Sequence, residues 1–334
     1  MKTIKRYSVP TGDICIGEGD LGSLEYLSLG DYGKIKNIKA DFLGLTDEID
    51  GVPHGELMPL EDKWVVTVST QYGCSMKCTF CDVPKVGPGK NATQDDLSGQ
   101  ICEAIYLHPE VKKTKRLNVH FARMGEPTFN ANVLYYTAEK LRSDVESLIP
   151  GSKVHPVLST MMPRNNKFLE EYLKMWCDIK GGFGGDAGLQ ISINSTDEKQ
   201  REEMFGGCAL SLKDVADICG RLPAPVGRKY ALNFALADGY DVNPGRLEAF
   251  FNPEYFMVKI TPMHKTRSCR ENKIDTTDGY EYFTPYKGVE QGLQKYGFDV
   301  LVFVPSYEED EGLITCGNAI LSGNLPKEYK LTNA

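Results

Sequence analysis

The most informative stretch of the sequence holds three cysteines close together, and it reads Gly73-Cys74-Ser75-Met76-Lys77-Cys78-Thr79-Phe80-Cys81. Three thiolates spaced C-x3-C-x2-C can ligate three irons of an iron–sulfur cube and leave the fourth iron open to another ligand. A structural zinc site is one alternative, but zinc usually takes four protein ligands there, and no second cysteine pair lies nearby. Three core cysteines are the other alternative. The glycine before the first cysteine and the aromatic before the last favour a cluster held by Cys74, Cys78 and Cys81.

Strand-like runs rich in β-branched and aromatic residues recur at even intervals, and the first lies directly before the cysteines. They are Trp64–Thr70, Leu117–Ala122, His155–Thr160, Leu189–Asn194, Tyr230–Ala237, Tyr255–Met263 and Phe298–Pro305. Each interval is long enough for the crossover helix that joins parallel strands.

Helical patterns occupy these intervals. In Gln94–Leu107 the apolar residues fall on one face, and Thr93 precedes them as a candidate N-cap. Similar patterns cover Asn132–Ile149, Lys167–Ile179, Ser211–Leu222, Pro244–Phe251 and Tyr286–Tyr296. The alternation predicts an α/β protein, and six or seven units favour a partial (β/α)6 TIM-like barrel. A doubly wound sheet is the alternative, because one sequence does not give the strand order.

Residues 1–63 lack this rhythm. Glycines there punctuate short alternating runs such as Leu24–Leu29 and Lys34–Phe42, which predict hairpins. We therefore expect a small β-rich N-terminal extension over 1–63, the barrel over 64–305, and a C-terminal segment carrying Cys316 over 306–334.

Composition narrows the class of protein. The chain has 334 residues, of which 41% are hydrophobic and 25% charged, so it is neither disordered nor fibrous. It has no apolar run of membrane-spanning length and no secretion signal, and its ten cysteines suit a reducing compartment. We expect a cytoplasmic protein without a membrane partner. The net charge of −8 does not indicate a broad surface for nucleic-acid phosphates.

Polar residues follow several predicted strands, at the end where barrel enzymes bind their ligands. Gly125 permits close backbone approach, and the Glu126 carboxylate can hold an ammonium group, although a plain turn explains both. Other strand ends supply hydroxyl, amide and imidazole groups in Ser159, Ser192-Ile193-Asn194 and His264. Each alone is more often a turn, cap or structural residue. Their recurrence predicts a ligand site at the barrel mouth.

The cysteine spacing, with its aromatic residue and preceding strand, resembles the radical S-adenosylmethionine (SAM) superfamily. Those enzymes bind SAM to the open iron of a [4Fe-4S] cluster, and one electron cleaves it to methionine and a 5′-deoxyadenosyl radical. The order of further motifs over roughly residues 56–320 is more specific. These are Val68-Ser69-Thr70-Gln71-Tyr72-Gly73-Cys74, Met124-Gly125-Glu126-Pro127, Leu158-Ser159-Thr160, Ser192-Ile193-Asn194 with Asp197-Glu198 and Arg201-Glu202-Glu203, and Cys316-Gly317-Asn318-Ala319.

This order resembles the RlmN/Cfr family, which methylates an adenine carbon in ribosomal RNA and, for some members, tRNA. The resemblance implies a methyltransferase that binds SAM through Gly125, Glu126, Ser159, Ser192, Ile193, Asn194 and His264. His264 stands where the family usually has Asn. Cys316 falls on the family's methyl-carrying cysteine, and Glu56 lies near its general base, although an exposed carboxylate suits that position better. A reduced flavodoxin or ferredoxin is the implied electron donor.

Two departures weaken the likeness. The family's second cysteine lies seven residues before the first cluster cysteine, and here that residue is Thr67, which cannot form the disulfide that releases product. Cys269 is the best-placed substitute by sequence, although an ordinary loop thiol is the favoured interpretation. The short β-rich N-terminus leaves no room for the family's helical RNA-binding domain. A radical SAM enzyme acting on a small molecule or another polymer is therefore the second hypothesis, and a non-catalytic iron–sulfur or zinc protein is the third.

Overall fold

The structure is a computed structural model, and it describes residues 1–33, 37–47, 56–276 and 282–333. The strands in these residues are β1 (Lys2–Val9), β2 (Gly12–Gly19), β3 (Gly22–Leu29), β4 (Ile38–Lys39), β5 (Trp64–Val68), β6 (Gln71–Gly73), β7 (Pro88–Asn91), β8 (Leu117–Phe121), β9 (Val154–Thr160), β10 (Gly188–Ser192), β11 (Tyr230–Leu236), β12 (Phe256–Pro262), β13 (Asp299–Phe303) and β14 (Lys330–Asn333). The predicted run Lys34–Phe42 lies partly outside the described residues.

The main sheet has the strand order β14-β1-β2-β3-β5-β8-β9-β10-β11-β12-β13-β4. From β5 to β13 every neighbouring pair is parallel, and these strands are the seven runs expected from the sequence. Each follows its predecessor in the chain, without the reversal that defines a doubly wound sheet. The predicted α/β partial barrel is confirmed.

Helices cover the outside of the parallel strands. They are α1 (Gln94–Tyr106), α2 (Ala131–Glu139), α3 (Leu141–Leu148), α4 (Leu169–Gly182), α5 (Glu198–Met204), α6 (Leu212–Cys219), α7 (Pro244–Phe250), α8 (Arg267–Glu271), α9 (Lys287–Lys295) and α10 (Tyr307–Glu311). Thr93 caps α1 in a capping box with Asp96, as its sequence suggested. No helix in the described ranges is long and apolar enough to cross a membrane.

Some helices differ from expectation. The pattern over Asn132–Ile149 forms two helices, because Lys140 interrupts it with a φ of −116°. The short helices α5, α8 and α10 were not predicted. Each has about two turns or fewer, too few for an apolar face to repeat, and only their capping residues mark where they begin.

The N-terminal strands extend the barrel sheet through β3, which pairs antiparallel with β5. One face of β1–β3 packs on α1 in the main core through Cys15, Leu24 and Tyr26. The other face forms a smaller core with Ile314 and Ile320 of the C-terminal segment. Apolar packing against the first three strands thereby fixes the chain on both sides of Cys316.

Candidate functional site

The cysteine stretch forms a loop that strands β6 and β7 close at its base. The two strands pair antiparallel, and the Cys74 amide donates to the Gly87 carbonyl at 3.1 Å. Met76 N–H donates to Cys74 Sγ at 3.4 Å. The pairing of β6 with β7, which was not predicted from the sequence, brings the two ends of the loop together.

The three thiols of the loop act on one another. Burial raises the pKa of Cys78 well above its ordinary value, and the charges of Cys81 and Cys74 raise it further. Burial likewise raises the pKa of Cys81, and that of Cys74 to about 11. All three side chains keep partial exposure to solvent, so they line a recess of the surface. Without a metal these thiols are protonated at neutral pH, and a bound metal would deprotonate them.

The donor set agrees with an iron–sulfur cluster in its chemistry, because one loop supplies three partly exposed thiols, close enough for their charges to raise one another's pKa. In the described part of the chain, no three His, Cys, Asp or Glu side chains gather tightly enough to hold a single metal ion. A cube of four irons is ligated differently, with each cysteine on its own iron. Cys74, Cys78 and Cys81 are the residues that would hold it.

Asp82, next to Cys81, ties the loop to distant parts of the chain. Its carboxylate is fully buried and accepts from the Ser268 amide at 2.8 Å, the Ser268 hydroxyl at 2.7 Å and Asn324 Nδ2 at 3.0 Å. Its own amide donates to the Gly317 carbonyl at 2.8 Å. The buried carboxylate therefore fixes the third cysteine against the segment that carries Cys316.

Gly125 and Glu126 lie directly against the base of the cysteine loop. Gly125 has a φ of 98°, and a Cβ there would stand 2.6 Å from the side chain of Gln71, so both conformation and space require glycine. The Glu126 amide donates to Gln71 Oε1 at 3.0 Å. The charge of Glu126 also raises the pKa of Cys74 and Cys78, which places its carboxylate near the thiols.

The Glu126 carboxylate is buried and accepts several hydrogen bonds. The hydroxyls of Thr128 and Thr160 each donate to Oε1 at 2.7 Å, and Met161 N–H donates to Oε2 at 3.0 Å. Burial raises the pKa of Glu126, and these donors oppose the shift. Because Oε2 accepts only one of these bonds, it keeps a lone pair for a ligand ammonium. Glu126 can therefore both stabilise the turn after β8 and bind the ammonium group of a ligand.

The other predicted SAM residues lie at the ends of neighbouring strands. Ser159 and Ser192 are half-buried and face the inside of the barrel. Ile193 and Asn194 follow β10 directly, and Asn194 Oδ1 accepts from the Ala235 amide at 3.0 Å. His264 lies just beyond β12, with its Nδ1 3.6 Å from Asp310 Oδ1. The structure thus brings these residues to one end of the sheet, the end at which the cysteine loop begins.

Cys316 lies beside the cysteine loop. Its neighbour Gly317 has a φ of 89°, and a Cβ there would lie 3.5 Å from the Phe80 carbonyl and 3.8 Å from the Cys81 Cα. The charge of Cys316 raises the pKa of Cys81, so the two thiols are close. The Cys316 side chain is exposed, yet surrounding protein raises its pKa. The thiol is therefore accessible to solvent although protein atoms surround much of it.

A buried ion pair holds the Cys316 segment on one side. Arg123 Nε donates to Glu25 Oε1 at 2.8 Å, and Arg123 Nη2 donates to the Leu313 carbonyl at 3.0 Å. The second Glu25 oxygen accepts from the Leu321 amide at 3.1 Å. The pair therefore grips the chain before and after Cys316.

A second network holds the other side of this segment. The Thr315 hydroxyl donates to Asp310 Oδ1 at 2.8 Å, and Asn318 Nδ2 donates to that hydroxyl at 2.8 Å. The positive charges of Arg123 and Lys259 lower the pKa of the Cys316 thiol against the effect of burial. The sequence did not single out Glu25, Arg123 or Asp310, because ion pairs between distant segments leave no local pattern.

Arg201, in the unpredicted helix α5, supports the neighbouring strand end. Its buried guanidinium donates to the carbonyls of Ser192 at 2.9 Å and Ile193 at 2.8 Å. Burial lowers the pKa of Arg201 to about 10. The side chain thereby fixes the backbone at two of the predicted SAM positions.

The surroundings of three further residues, Thr67, Glu56 and Cys269, do not indicate a catalytic role. Thr67 is half-buried in β5, between Leu27 and His120. Glu56 is exposed, and its carboxylate makes no recorded hydrogen bond or ion pair with the described residues. Cys269 is buried in α8, where its Sγ lies 3.6 Å from the Phe80 carbonyl, in keeping with an ordinary structural thiol.

The partial barrel, with a cysteine loop after its first parallel strand, defines the class of protein as radical SAM-like. A crystal structure of a radical SAM methyltransferase from Sphaerobacter thermophilus shares this fold, with a TM-score of 0.64 and 16% identity over 92% of this chain and 77% of that one. Within this class the chain is related to RlmN, and the resemblance inferred from the motifs is confirmed. No family model matches the chain.

Three curated relatives show the extent of this similarity. RlmN 2 of Myxococcus xanthus is 29% identical over 194 residues, which are 55% of this chain and 47% of the relative. RlmN of Vesicomyosocius okutanii is 33% identical over 60% of this chain and 48% of its own length. A probable RlmN of Aquifex aeolicus is 23% identical over 74% and 67%. The chain spans about half the length of the first two relatives. All three are named dual-specificity RNA methyltransferases, which bears out the predicted enzyme class.

Proposed function

We propose that this chain is a radical SAM enzyme that methylates an sp2 carbon of a nucleobase through Cys316. Cys74, Cys78 and Cys81 would hold a [4Fe-4S] cluster, and Glu126 would hold the ammonium group of SAM. When bound, these groups supply a 5′-deoxyadenosyl radical after one electron is delivered, for which a reduced flavodoxin or ferredoxin is the proposed donor. The ten free thiols suit a cytoplasmic location.

The observation that carries this proposal is the position of Cys316. The hydrogen bond from the Asp82 amide to the Gly317 carbonyl joins its segment to Cys81, the third cysteine of the loop, and Cys316 is exposed. A cysteine that only filled the core would be buried and would not need two polar networks to fix its backbone. An sp2 C–H carbon is a poor nucleophile toward a sulfonium methyl, so a methyl carried on the enzyme as a thioether provides another route.

The chain's own contribution begins with the Cys316 thiol. After losing its proton, its sulfur would attack the methyl carbon of one SAM and displace S-adenosylhomocysteine, so that Cys316 carries the methyl group as a thioether. Burial raises the pKa of this thiol, and the positive charges of Arg123 and Lys259 oppose that shift and so assist formation of the thiolate needed for the attack. The S-methyl group on Cys316 would then give up a hydrogen atom to the 5′-deoxyadenosyl radical that a second SAM supplies, with 5′-deoxyadenosine as the product, and the activated carbon held by Cys316 would add to the base.

Release of the adduct distinguishes this proposal from a second one. Thr67 has no sulfur to attack Cys316, and the Cys269 thiol is buried against Phe80. These facts favour the alternative that the chain cleaves SAM but acts on a small molecule or another polymer without a methyl-cysteine. An RNA substrate is proposed from the relatives' names alone.

Mass spectrometry of Cys316 tests the choice. Protein purified from cells should carry an added methyl group on the peptide containing Cys316, and Cys316→Ala should abolish methyl transfer while SAM cleavage remains. Cys269→Ala is the matched control and should retain both activities. Full methyl transfer by Cys316→Ala would exclude the carrier mechanism and favour the alternative.

A further inference from the structure

The inner face of the barrel carries a polar group of side chains below Cys316. Alternation along β12 turns Lys259 and Thr261 to the inside, while Val258 and Ile260 pack in the outer core. The parallel register places Asn233 of β11 beside Lys259, and Ser192 of β10 beside Asn233. Lys259, Thr261 and Asn233 therefore share one wall of the barrel interior.

Two of these side chains have polar atoms without a partner. Thr261 is 7% exposed, and its Oγ1 makes no hydrogen bond within the described residues. Asn233 is half-buried, but its Oδ1 atom is inaccessible to solvent and has no hydrogen-bond partner in that part of the chain. Leaving a buried polar atom without a partner destabilises a protein, so two neighbouring ones mark a place where a ligand can complete the hydrogen bonds.

The ammonium group of Lys259 also lacks a counter-ion. No carboxylate in the described ranges lies within ion-pair distance of it, and its recorded contact is the Phe303 ring, 5.6 Å from Nζ to the centroid. Burial lowers the pKa of Lys259, the charges of Arg228 and Lys63 lower it further, and that of Asp31 raises it. His120, on the same inner face, adds no positive charge at neutral pH, because burial lowers its pKa to about 3.

The end of β12 lies beside the Cys316 segment. Asp310 Oδ1 is 3.6 Å from the Nδ1 of His264, two residues beyond β12, and it accepts from the hydroxyl of Thr315 at 2.8 Å. A substrate at Cys316 therefore extends toward a cation and an unpaired hydroxyl. The Asn233 amide supplies a further donor once it rotates by half a turn to present its Nδ2 group.

We propose that Lys259, Thr261 and Asn233 bind the phosphate of a nucleotide whose base lies at Cys316. The choice of a nucleotide rests on the proposed function. A phosphate suits the site because its several oxygens accept from the ammonium, hydroxyl and amide together, and because its charge balances the cations of the barrel interior. The phosphate can belong to a free mononucleotide or to a nucleic-acid chain.

Calorimetric titration of the cluster-loaded protein tests this site, with 5′-AMP, adenosine and a short single-stranded oligoadenylate as probes. The wild type should bind 5′-AMP or the oligonucleotide at least tenfold more tightly than adenosine. Tighter binding of 5′-AMP indicates a mononucleotide phosphate, and tighter binding of the oligonucleotide indicates a chain phosphate. Equal affinity for all three probes, or no binding of any, would overturn the proposal.

Three variants check the assignment to Lys259. Lys259→Met should lose the tenfold preference, and Lys259→Arg should keep most of it. Lys174→Met, which removes an exposed lysine of α4 that pairs with Glu170, is the matched charge control and should behave as wild type. An unchanged preference in Lys259→Met would overturn the assignment. If Lys259→Met folds poorly, Thr261→Val provides a second test. An unchanged preference of Thr261→Val for the phosphate-bearing probes over adenosine would also count against the site.

The result is independent of the methyl-carrier proposal. The titration needs no SAM cleavage, and Cys316→Ala should keep the preference for phosphate while losing methyl transfer. If Cys316→Ala still transfers methyl groups, the carrier mechanism fails and the phosphate site stands. If the phosphate preference is absent in a Cys316-methylated wild type, the phosphate site fails and the carrier mechanism stands.

Discussion

Glu25 and Arg123 form a buried ion pair whose remaining atoms hold the backbone on both sides of Cys316. The two residues are 98 positions apart, and at most 4% of either is exposed. Because Arg123 immediately precedes the Met124-Gly125-Glu126 turn, the pair connects the Cys316 segment to the predicted SAM site. The fold of the N-terminal strands thereby reaches into the candidate active site.

Arg123→Met should loosen the Cys316 segment. Loss of one partner from a buried pair typically costs about 3–5 kcal/mol, because the other charge is left buried. We expect that loss in the free energy of unfolding from urea titration, and faster alkylation of Cys316 by iodoacetamide. The double change with Glu25→Gln should recover part of the stability. Equal stability of Arg123→Met and wild type would show that the pair does not anchor the segment.

Alanine in place of Cys74, Cys78 and Cys81 should remove iron and SAM cleavage together. Reconstituted wild type should hold about four irons and four sulfides, because three thiolates and SAM complete a cube. Metal analysis and 5′-deoxyadenosine formation under strong reductant are the measurements. Cys208→Ala, which removes a nearby half-buried thiol, is the control and should leave both unchanged. Zinc instead of iron, without deoxyadenosine, would favour a structural metal site.

Glu126→Gln should weaken SAM binding without loss of the cluster. A charge-assisted contact to an ammonium contributes about 1.5–3 kcal/mol, which corresponds to roughly ten- to a hundredfold in affinity. Equilibrium binding of SAM to the loaded protein measures the change. Thr128→Val removes one donor to the same carboxylate but keeps its charge, and should change affinity much less. If Glu126→Gln binds SAM like the wild type, the residue has only a structural role.

Glu309→Gln should stabilise the protein at pH 8 and leave it unchanged at pH 5. Burial, with the charges of Asp31 and Asp310, raises the pKa of Glu309 from 4.5 to about 7. The folded state therefore keeps a proton that the unfolded chain releases between these values, and stability is lost as pH rises through about 7. Glutamine keeps the capping box with Ser306 and carries no charge. Urea midpoints at both pH values measure this, with exposed Glu308→Gln as the control. An equal gain in stability of Glu309→Gln at both pH values would show that the charge on Glu309 is not the cause.

The sequence predicted the parallel strands and the cysteine loop well, because both depend on local patterns. Alternation and β-branched runs mark β5 and β8–β13, and the spacing of the three cysteines can be recognised from the sequence without knowledge of the fold. Arg123 and Arg201 stand in or next to the sequence motifs, but their structural roles and that of Asp82 were not predicted, because their partners are backbone groups or residues far along the chain. Their roles arise from tertiary packing, which one sequence does not show.

The buried carboxylate of Asp82 also sets the order in which the site is assembled. Its partners Arg267, Ser268 and Asn324 lie at least 185 residues later in the chain. During synthesis the cysteine loop therefore emerges long before the groups that fix it, and it stays unfixed until the C-terminal segment has left the ribosome. Cluster insertion into the finished site is consequently a late event, separated in time from synthesis of its ligands.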